Sequence, residues 1–240
     1  MFGRNGARRK VNLMSYSTRM ATWVLVFGAV GSAQAGSIVA NYSIDLIQSV
    51  SMSIGGTAYS FNAARMVGTR TGGTTALLPP APYGFTAFCA EVGENIHPGS
   101  QTHPNVTPLL GSSTATGGIT GPISFDAART DRMERLWGSF FPGLMGNQAA
   151  TAAFQLAHWE IAFDNDLSLS SGYFQSSDPV SGMAQSFLSG VASGSAATRQ
   201  KLVLLSGPGI QDQVAPVPEP GTIAALAVGL GSFLRRRRRA

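Results

Sequence analysis

Residues 152–164 read Ala-Ala-Phe-Gln-Leu-Ala-His-Trp-Glu-Ile-Ala-Phe-Asp, and this stretch decides the fold because it predicts a helix with almost no polar face. Between its ends, only Gln155, His158 and Glu160 interrupt the apolar side chains. A helix that is apolar nearly all round is a buried one. Gln155 lies one turn before Trp159, so its carboxamide is predicted to lie beside an aromatic ring. A buried amide needs hydrogen-bond partners or a chemical use.

The rest of the chain has the composition of an exported protein. It has 240 residues, of which 44% are apolar and only 12% are charged, enough for one domain plus processing segments. Ten of the seventeen basic residues lie near the two ends, which leaves seven against twelve acidic residues. The positive net charge therefore reflects targeting flanks, and we predict no nucleic-acid partner.

The N-terminal residues 1–35 are typical of a secretory signal peptide. A basic segment precedes the apolar run 21–30, which is too short to span a bilayer. Ala33 and Ala35 then form a small-residue cleavage site. We therefore expect the mature protein to begin near Gly36.

Residues 36–214 are predicted to form a single α+β domain, an antiparallel β-sandwich or barrel-like sheet with an inserted helical pair. Alternating side chains from 37 to 61, with a turn at Gly55-Gly56, predict two antiparallel strands. A further strand is predicted over Tyr83–Val92. The Gly- and Thr-rich residues 66–78 predict a loop or an edge strand, and 99–121 predict a long polar loop.

Helix signals flank the opening stretch. Asp126 is a candidate cap for a helix that runs to about Phe141, and Pro142-Gly143 ends it. Asn147 then caps the opening helix. A weaker amphipathic helix is predicted over 181–191 and a short buried strand over 202–205.

The C-terminal residues 215–240 have three parts in a fixed order. A Pro-Glu-Pro motif at Pro218, Glu219 and Pro220 precedes an apolar stretch, 221–234, and the cluster Arg235, Arg236, Arg237, Arg238 and Arg239. The apolar stretch is shorter than the ~30 Å hydrocarbon core, but a basic cluster at the cytoplasmic face favours transient lodging as a short transmembrane stretch.

This tail resembles the PEP-CTERM sorting signal of Gram-negative, exopolysaccharide-producing bacteria. The resemblance implies recognition and cleavage by an exosortase. It implies a protein that is anchored transiently in the inner membrane and then reaches the cell surface or the extracellular matrix.

Cys89 is the one cysteine of the chain, so it has no intramolecular disulfide partner. It is a reactive thiol, an intermolecular bridge, a cofactor ligand or a small buried apolar residue. We predict that Cys89 and Gln155 meet in the fold and condense to an internal thioester. Close apposition alone contributes about 7–11 kcal/mol to such reactions, and a dry aromatic pocket would protect the product.

Two segments carry a resemblance that supports this pairing. Phe88-Cys89-Ala90-Glu91, together with Ala153-Phe154-Gln155-Leu156-Ala157-His158-Trp159, resembles the motifs of Cys-Gln thioester-forming (TQXA-like) surface domains. The resemblance implies that Cys89 supplies the sulfur and Gln155 the acyl group, with Ala157 and Trp159 as helix framework. Phe154 stands where the family has threonine, and His158 where it has an aliphatic residue.

The implied function is covalent attachment to amine-bearing surface or matrix partners, with no enzymatic turnover. The expected neighbours of the bond are Glu91, His158, Trp159 and Phe88. His158 is either a base for the attacking amine or a core histidine. Glu91, two residues after the cysteine in the predicted strand, would share its face and orient a polar group.

Other functions remain open from the sequence. A cysteine hydrolase would pair Cys89 with His97, His103 or His158, but no family motif surrounds these histidines. The cysteine and histidines lack metal-ligand spacing, and we predict no cofactor and no metal. The main alternative is a non-covalent structural or carbohydrate-associated matrix or biofilm protein with a free cysteine.

Overall fold

The first strand organises the sheet because it pairs with three others. The structure is a computed structural model that describes residues 36–115, 119, 121–144, 146–164 and 166–218. In it, β1 (Gly36–Ile54) turns through Gly55-Gly56 into β2 (Thr57–Gly72), and both turn glycines have positive φ. The predicted pair of strands and their turn are confirmed. The other edge of β1 pairs with later strands near both of its ends.

The remaining strands are short, and every pairing is antiparallel. They are β3 (Tyr83–Cys89), β4 (Gly99–Pro108), β5 (Phe174–Gln175), β6 (Leu202–Ser206) and β7 (Gln213–Pro216). The pairings run from β1 through β2, β3, β7, β6 and β4 and return to β1, so the sheet closes on itself. β5 adds to the far end of β1. The predicted α+β class with an antiparallel sheet is confirmed.

Three helices are described, and their boundaries follow the predicted caps. Asp126 accepts a hydrogen bond from the Arg129 amide at the start of α1 (Ala127–Phe140), which a 3₁₀ turn at Phe141–Gly143 ends. Asn147 caps α2 (Gln148–Phe163) in the same way. The third helix, α3 (Ser181–Ser193), ends at a left-handed Gly194. α2 packs against α1, α3 and the strands β1–β3.

Two predictions in the strand regions were wrong. Residues 99–108 of the predicted polar loop form β4, because its backbone pairs with both β1 and β6 and it buries His103 and Val106. Residues 66–72 belong to β2 between β1 and β3, so they are neither loop nor edge. Composition disfavoured strands here, but pairing on both sides overrides propensity.

The connection from β2 to β3 folds around a buried arginine. Arg70 is 4% exposed, and its guanidinium donates to the carbonyl oxygens of five residues at 2.7–3.1 Å. These residues are Gly72, Gly73, Thr75, Leu78 and Pro79. The planar fork of the guanidinium therefore closes the connection.

Replacing Arg70 by lysine should lower the free energy of unfolding by roughly 2–4 kcal/mol, because an ammonium leaves several buried carbonyls unpaired. Denaturant titration followed by tryptophan fluorescence measures this loss. Arg65→Lys is the matched control, since Arg65 pairs with Asp45 at the surface and its change should cost about 0–1 kcal/mol. Equal losses in the two variants would contradict the role given to Arg70.

Candidate functional site around Cys89 and Gln155

The helix that carries Gln155 is enclosed on every side. All residues from Ala150 to Ala162 are buried, including the polar Gln155, His158 and Glu160. The predicted burial of this stretch is confirmed. Each of its polar side chains therefore needs a partner inside the protein.

Gln155 meets Cys89, as predicted, through two reciprocal hydrogen bonds. The Cys89 amide donates to Gln155 Oε1 at 3.0 Å, and Gln155 Nε2 donates to the Cys89 carbonyl oxygen at 3.0 Å. Both groups are buried. The carboxamide thus contacts the main chain of the cysteine whose sulfur the sequence analysis paired with it.

The carboxamide takes the place of a neighbouring strand. The last pair of residues between β2 and β3 is Met66 with Ala87, so Cys89 lies two residues beyond the end of this pairing. Its N–H and C=O point to the same side as those of Ala87, because alternate residues of a strand face the same edge. The side chain of Gln155 supplies the acceptor and the donor that a strand residue would have supplied.

The thiol itself is buried and uncharged. Cys89 is 4% exposed, and its Sγ lies 3.9 Å from Met66 Sδ. Burial, reinforced by the negative charge of Glu91, raises the pKa of the Cys89 thiol to about 12. At neutral pH the group is therefore a thiol, although the thiolate is the nucleophilic form.

A pocket of about 390 Å³ reaches the cysteine. Cys89, Met66 and Trp159 lie in its wall. The rest of the lining combines apolar and polar side chains, among them Ile44, Ile47, Phe61, Ile96, Ser60, Asn62, Glu94, Asn95 and Gln211. Trp159 is therefore the predicted neighbour that the structure brings to the same pocket as Cys89.

Two other predicted neighbours lie in a separate aromatic cluster. The Phe88 ring is centred 4.8 Å from that of Phe154 and 5.4 Å from that of Trp137. His158 contacts the same Trp137 and Phe154 rings. Burial lowers the pKa of His158 to about 3, so its ring is neutral, and it is not among the described residues that line the pocket. The geometry is that of a core histidine.

The fourth predicted neighbour, Glu91, belongs to an acidic cluster beyond the end of β3. The strand ends at Cys89, so the prediction that Glu91 continues it was wrong. Glu91 Oε1 accepts a hydrogen bond from the Asp212 amide at 3.1 Å, and its carboxyl interacts with that of Glu94. Burial raises the pKa of Glu91 to about 8, and burial also raises the pKa of Asp212 to about 6.

The histidines do not complete a hydrolase site among the described residues. His103 lies inside the sheet against the Tyr42 ring, and burial lowers its pKa to about 4. His97 lies in the connection before β4, where its carbonyl oxygen accepts from the Gln101 side chain. None of the described residues that line the Cys89 pocket is a histidine.

Several residues of the site could not be found from the sequence. Met66 and the wall residue Gln211 come from segments 23 and 122 positions away from Cys89. Asp212 reaches the acidic cluster because the short strand β7 pairs with β3. The strand itself, Gln213–Pro216, has too few residues to show an alternating pattern.

The raised pKa of Glu91 predicts a pH-dependent stability. The folded state holds this proton more tightly than the unfolded chain, so its contribution to stability is complete at low pH. That contribution is lost as the pH rises from about 5 through about 8. Glu91→Gln should therefore flatten the fall of the melting temperature over this range relative to the unaltered protein. Parallel profiles for the two proteins, measured in the same buffers, would contradict the assignment.

Comparison with known proteins identifies the C-terminal tail. Residues 216–239 match the PEP-CTERM protein-sorting motif, which confirms the sorting signal expected there. No curated protein and no solved structure shows detectable similarity to the chain.

No helix in the described part of the chain has the length and apolar character needed to cross a membrane. The predicted signal peptide, residues 1–35, lies outside the described residues, as do Glu219, Pro220 and the arginine cluster. The chain is thus an exported, exosortase-sorted protein whose tail lodges transiently in the membrane.

Proposed function

We propose that this exported protein forms an internal thioester between Cys89 and Gln155 and uses it to attach covalently to an amine-bearing partner. The partner would be a protein or polysaccharide at the cell surface or in the extracellular matrix of a Gram-negative bacterium. The observation that carries the proposal is the reciprocal pair of 3.0 Å hydrogen bonds that holds the carboxamide on the cysteine.

The two hydrogen bonds hold Gln155 against Cys89, and they also favour the condensation of the two side chains. In the reaction, Sγ adds to the side-chain carbonyl carbon of Gln155, the C–N bond breaks, and ammonia leaves with the thiol proton. Negative charge develops on Gln155 Oε1, which already accepts from the Cys89 amide. A donor placed in advance on such an oxygen stabilises the transition state. A thiol and a carboxamide thus give a thioester and ammonia, and no further reagent is needed.

The pocket suits an amine on an apolar stem. An ammonium group that approaches Cys89 would pass the carboxyl of Glu94, and the methylenes behind it would lie against Ile44, Phe61 or Ile96. This is how lysine side chains bury their stems while the charged head keeps polar partners. Attack by the free amine on the acyl carbon would form an amide with Gln155 and release the Cys89 thiol.

A second function deserves a test because of the same hydrogen bonds. A carboxamide whose oxygen and one N–H are satisfied by a main chain is a sufficient structural link without any covalent chemistry. The raised pKa of the thiol also opposes its attack. The protein would then be a non-covalent matrix or carbohydrate-associated component with a free cysteine.

Intact mass of the purified mature protein separates the two functions. The thioester predicts a mass lower than that of the sequence by one ammonia. Cys89→Ser and Gln155→Ala should each restore the mass expected from their own sequences. Gln148→Ala is the matched control on the same helix, since Gln148 is exposed and bonds to the Ile47 carbonyl, and it should keep the deficit.

Thiol labelling provides the opposing outcome. If the protein is unfolded in the presence of an alkylating reagent and takes up one label on Cys89 without any mass deficit, no thioester was present. Incubation with a small primary amine before unfolding should remove the deficit and add the mass of that amine. Failure of the amine to add would contradict the attachment function, even where a deficit is found.

Sorting depends on the tail, so removing it should release the protein. The stop should follow Pro218, because the Val217 amide still donates to the Lys201 carbonyl at 2.8 Å as part of the fold. The truncated protein should accumulate in the medium, and the full-length protein should be found with membranes or the surface. Glu219→Ala in the full chain should keep the protein membrane-bound and uncleaved. Identical fractionation of all three proteins would contradict the role of the tail.

A further inference from the structure

Three acidic side chains converge where α2 ends. Glu160, Asp164 and Asp166 each offer a carboxylate oxygen, and these oxygens lie within 4.8 Å of one another. Two oxygens bound to one calcium ion at 2.3–2.6 Å are at most about 4.6–5.2 Å apart. The spacing is therefore short enough for a single ion to bind all three groups.

The buried carboxylate of this group has one oxygen without an N–H or hydroxyl donor among the described residues. Glu160 is fully buried, and its Oε1 accepts from the amides of Leu167 and Ser168 at 3.0 and 3.3 Å. Its Oε2 is buried and accepts no hydrogen bond from an N–H or hydroxyl group of the described residues, and the Glu160 carboxyl interacts with that of Asp166. Buried polar atoms usually have a partner, and the position of this oxygen beside two further carboxylates suits a bound cation.

The negative charge at the C-terminal end of α2 also favours a bound cation. The C-terminal end of a helix carries partial negative charge, and the last turn of α2 contains no basic residue. None of the ion pairs between described residues includes Glu160, Asp164 or Asp166.

We propose that Glu160, Asp164 and Asp166 form a calcium site at the C-terminal end of α2, completed by water. Calcium prefers oxygen ligands and accepts irregular geometry, whereas magnesium demands shorter distances and near-octahedral order. The exported location exposes the site to calcium at the concentrations that extracellular modules bind, about 10⁻⁴–10⁻³ M. The proposal is independent of the thioester.

The ion would fix the connection between α2 and the sheet. Asp164 Oδ2 accepts from the amides of Tyr173 and Phe174, and Phe174 pairs with Ile54 of β1. Gly172 has positive φ, and a Cβ there would collide with Asp164 Oδ2 and come within 2.6 Å of Asp166 Oδ2. Asp164 and Asp166 therefore pack closely against Gly172, and a bound cation would hold α2, the following loop and β5 together.

Calcium titration of the mature protein, first stripped with a chelator, tests the site. Calcium chloride at about 10 mM should raise the melting temperature by roughly 3–10 °C, and calorimetry should show one site. Glu160→Gln keeps the Oε1 acceptor and removes one carboxylate ligand, so it should fold without calcium and lose the response. Asp166→Asn should weaken the response.

Asp45→Asn is the matched control, because it removes one carboxylate from β1 and should respond to calcium like the unaltered protein. Magnesium at the same concentration should give a smaller shift, and an equal or larger shift would overturn the choice of calcium. No heat and no shift with calcium, or a full shift in Glu160→Gln, would overturn the site.

Discussion

The structure depends on one side-chain amide that completes a strand. Gln155 reaches from the buried helix to the end of β3 and satisfies both main-chain groups of Cys89. An unpaired buried N–H or C=O costs about 1–3 kcal/mol, so this contact fixes the position of the helix against the sheet. It also holds the carboxamide next to the sulfur-bearing residue. Stability and the proposed chemistry therefore rest on the same two hydrogen bonds.

Much of the fold follows from local signals in the sequence. The caps Asp126 and Asn147, and the glycines at 55 and 56, fix the start of two helices and one hairpin because each satisfies or relaxes the backbone locally. β4 and β7 lack such signals. β4 is rich in residues that disfavour strands and forms because β1 and β6 pair with it on both sides. The information that makes β4 a strand therefore lies in its partner strands, β1 and β6.

The candidate site could also be predicted only in part from the sequence. The Cys89–Gln155 meeting was predicted from a lone cysteine, a buried amide and a family resemblance, and the structure brings the two residues together. The neighbours were harder to predict. Alternation along β3 turns Phe88 away from the Cys89 pocket, and the strand ends before Glu91. The acidic group at the end of α2 could not be predicted from the closely spaced Asp164 and Asp166 alone, because its third member is the buried Glu160.

The attachment of Val217 has a consequence for how the protein is processed. Its amide and carbonyl bond to Lys201 and Gln200, and Pro218 lies beside the loop that Arg70 holds, so ordered contacts continue to within one residue of Glu219. The domain and the sorting motif are therefore joined without a spacer. An exosortase that accepts this protein must accommodate a folded body beside its cleavage motif.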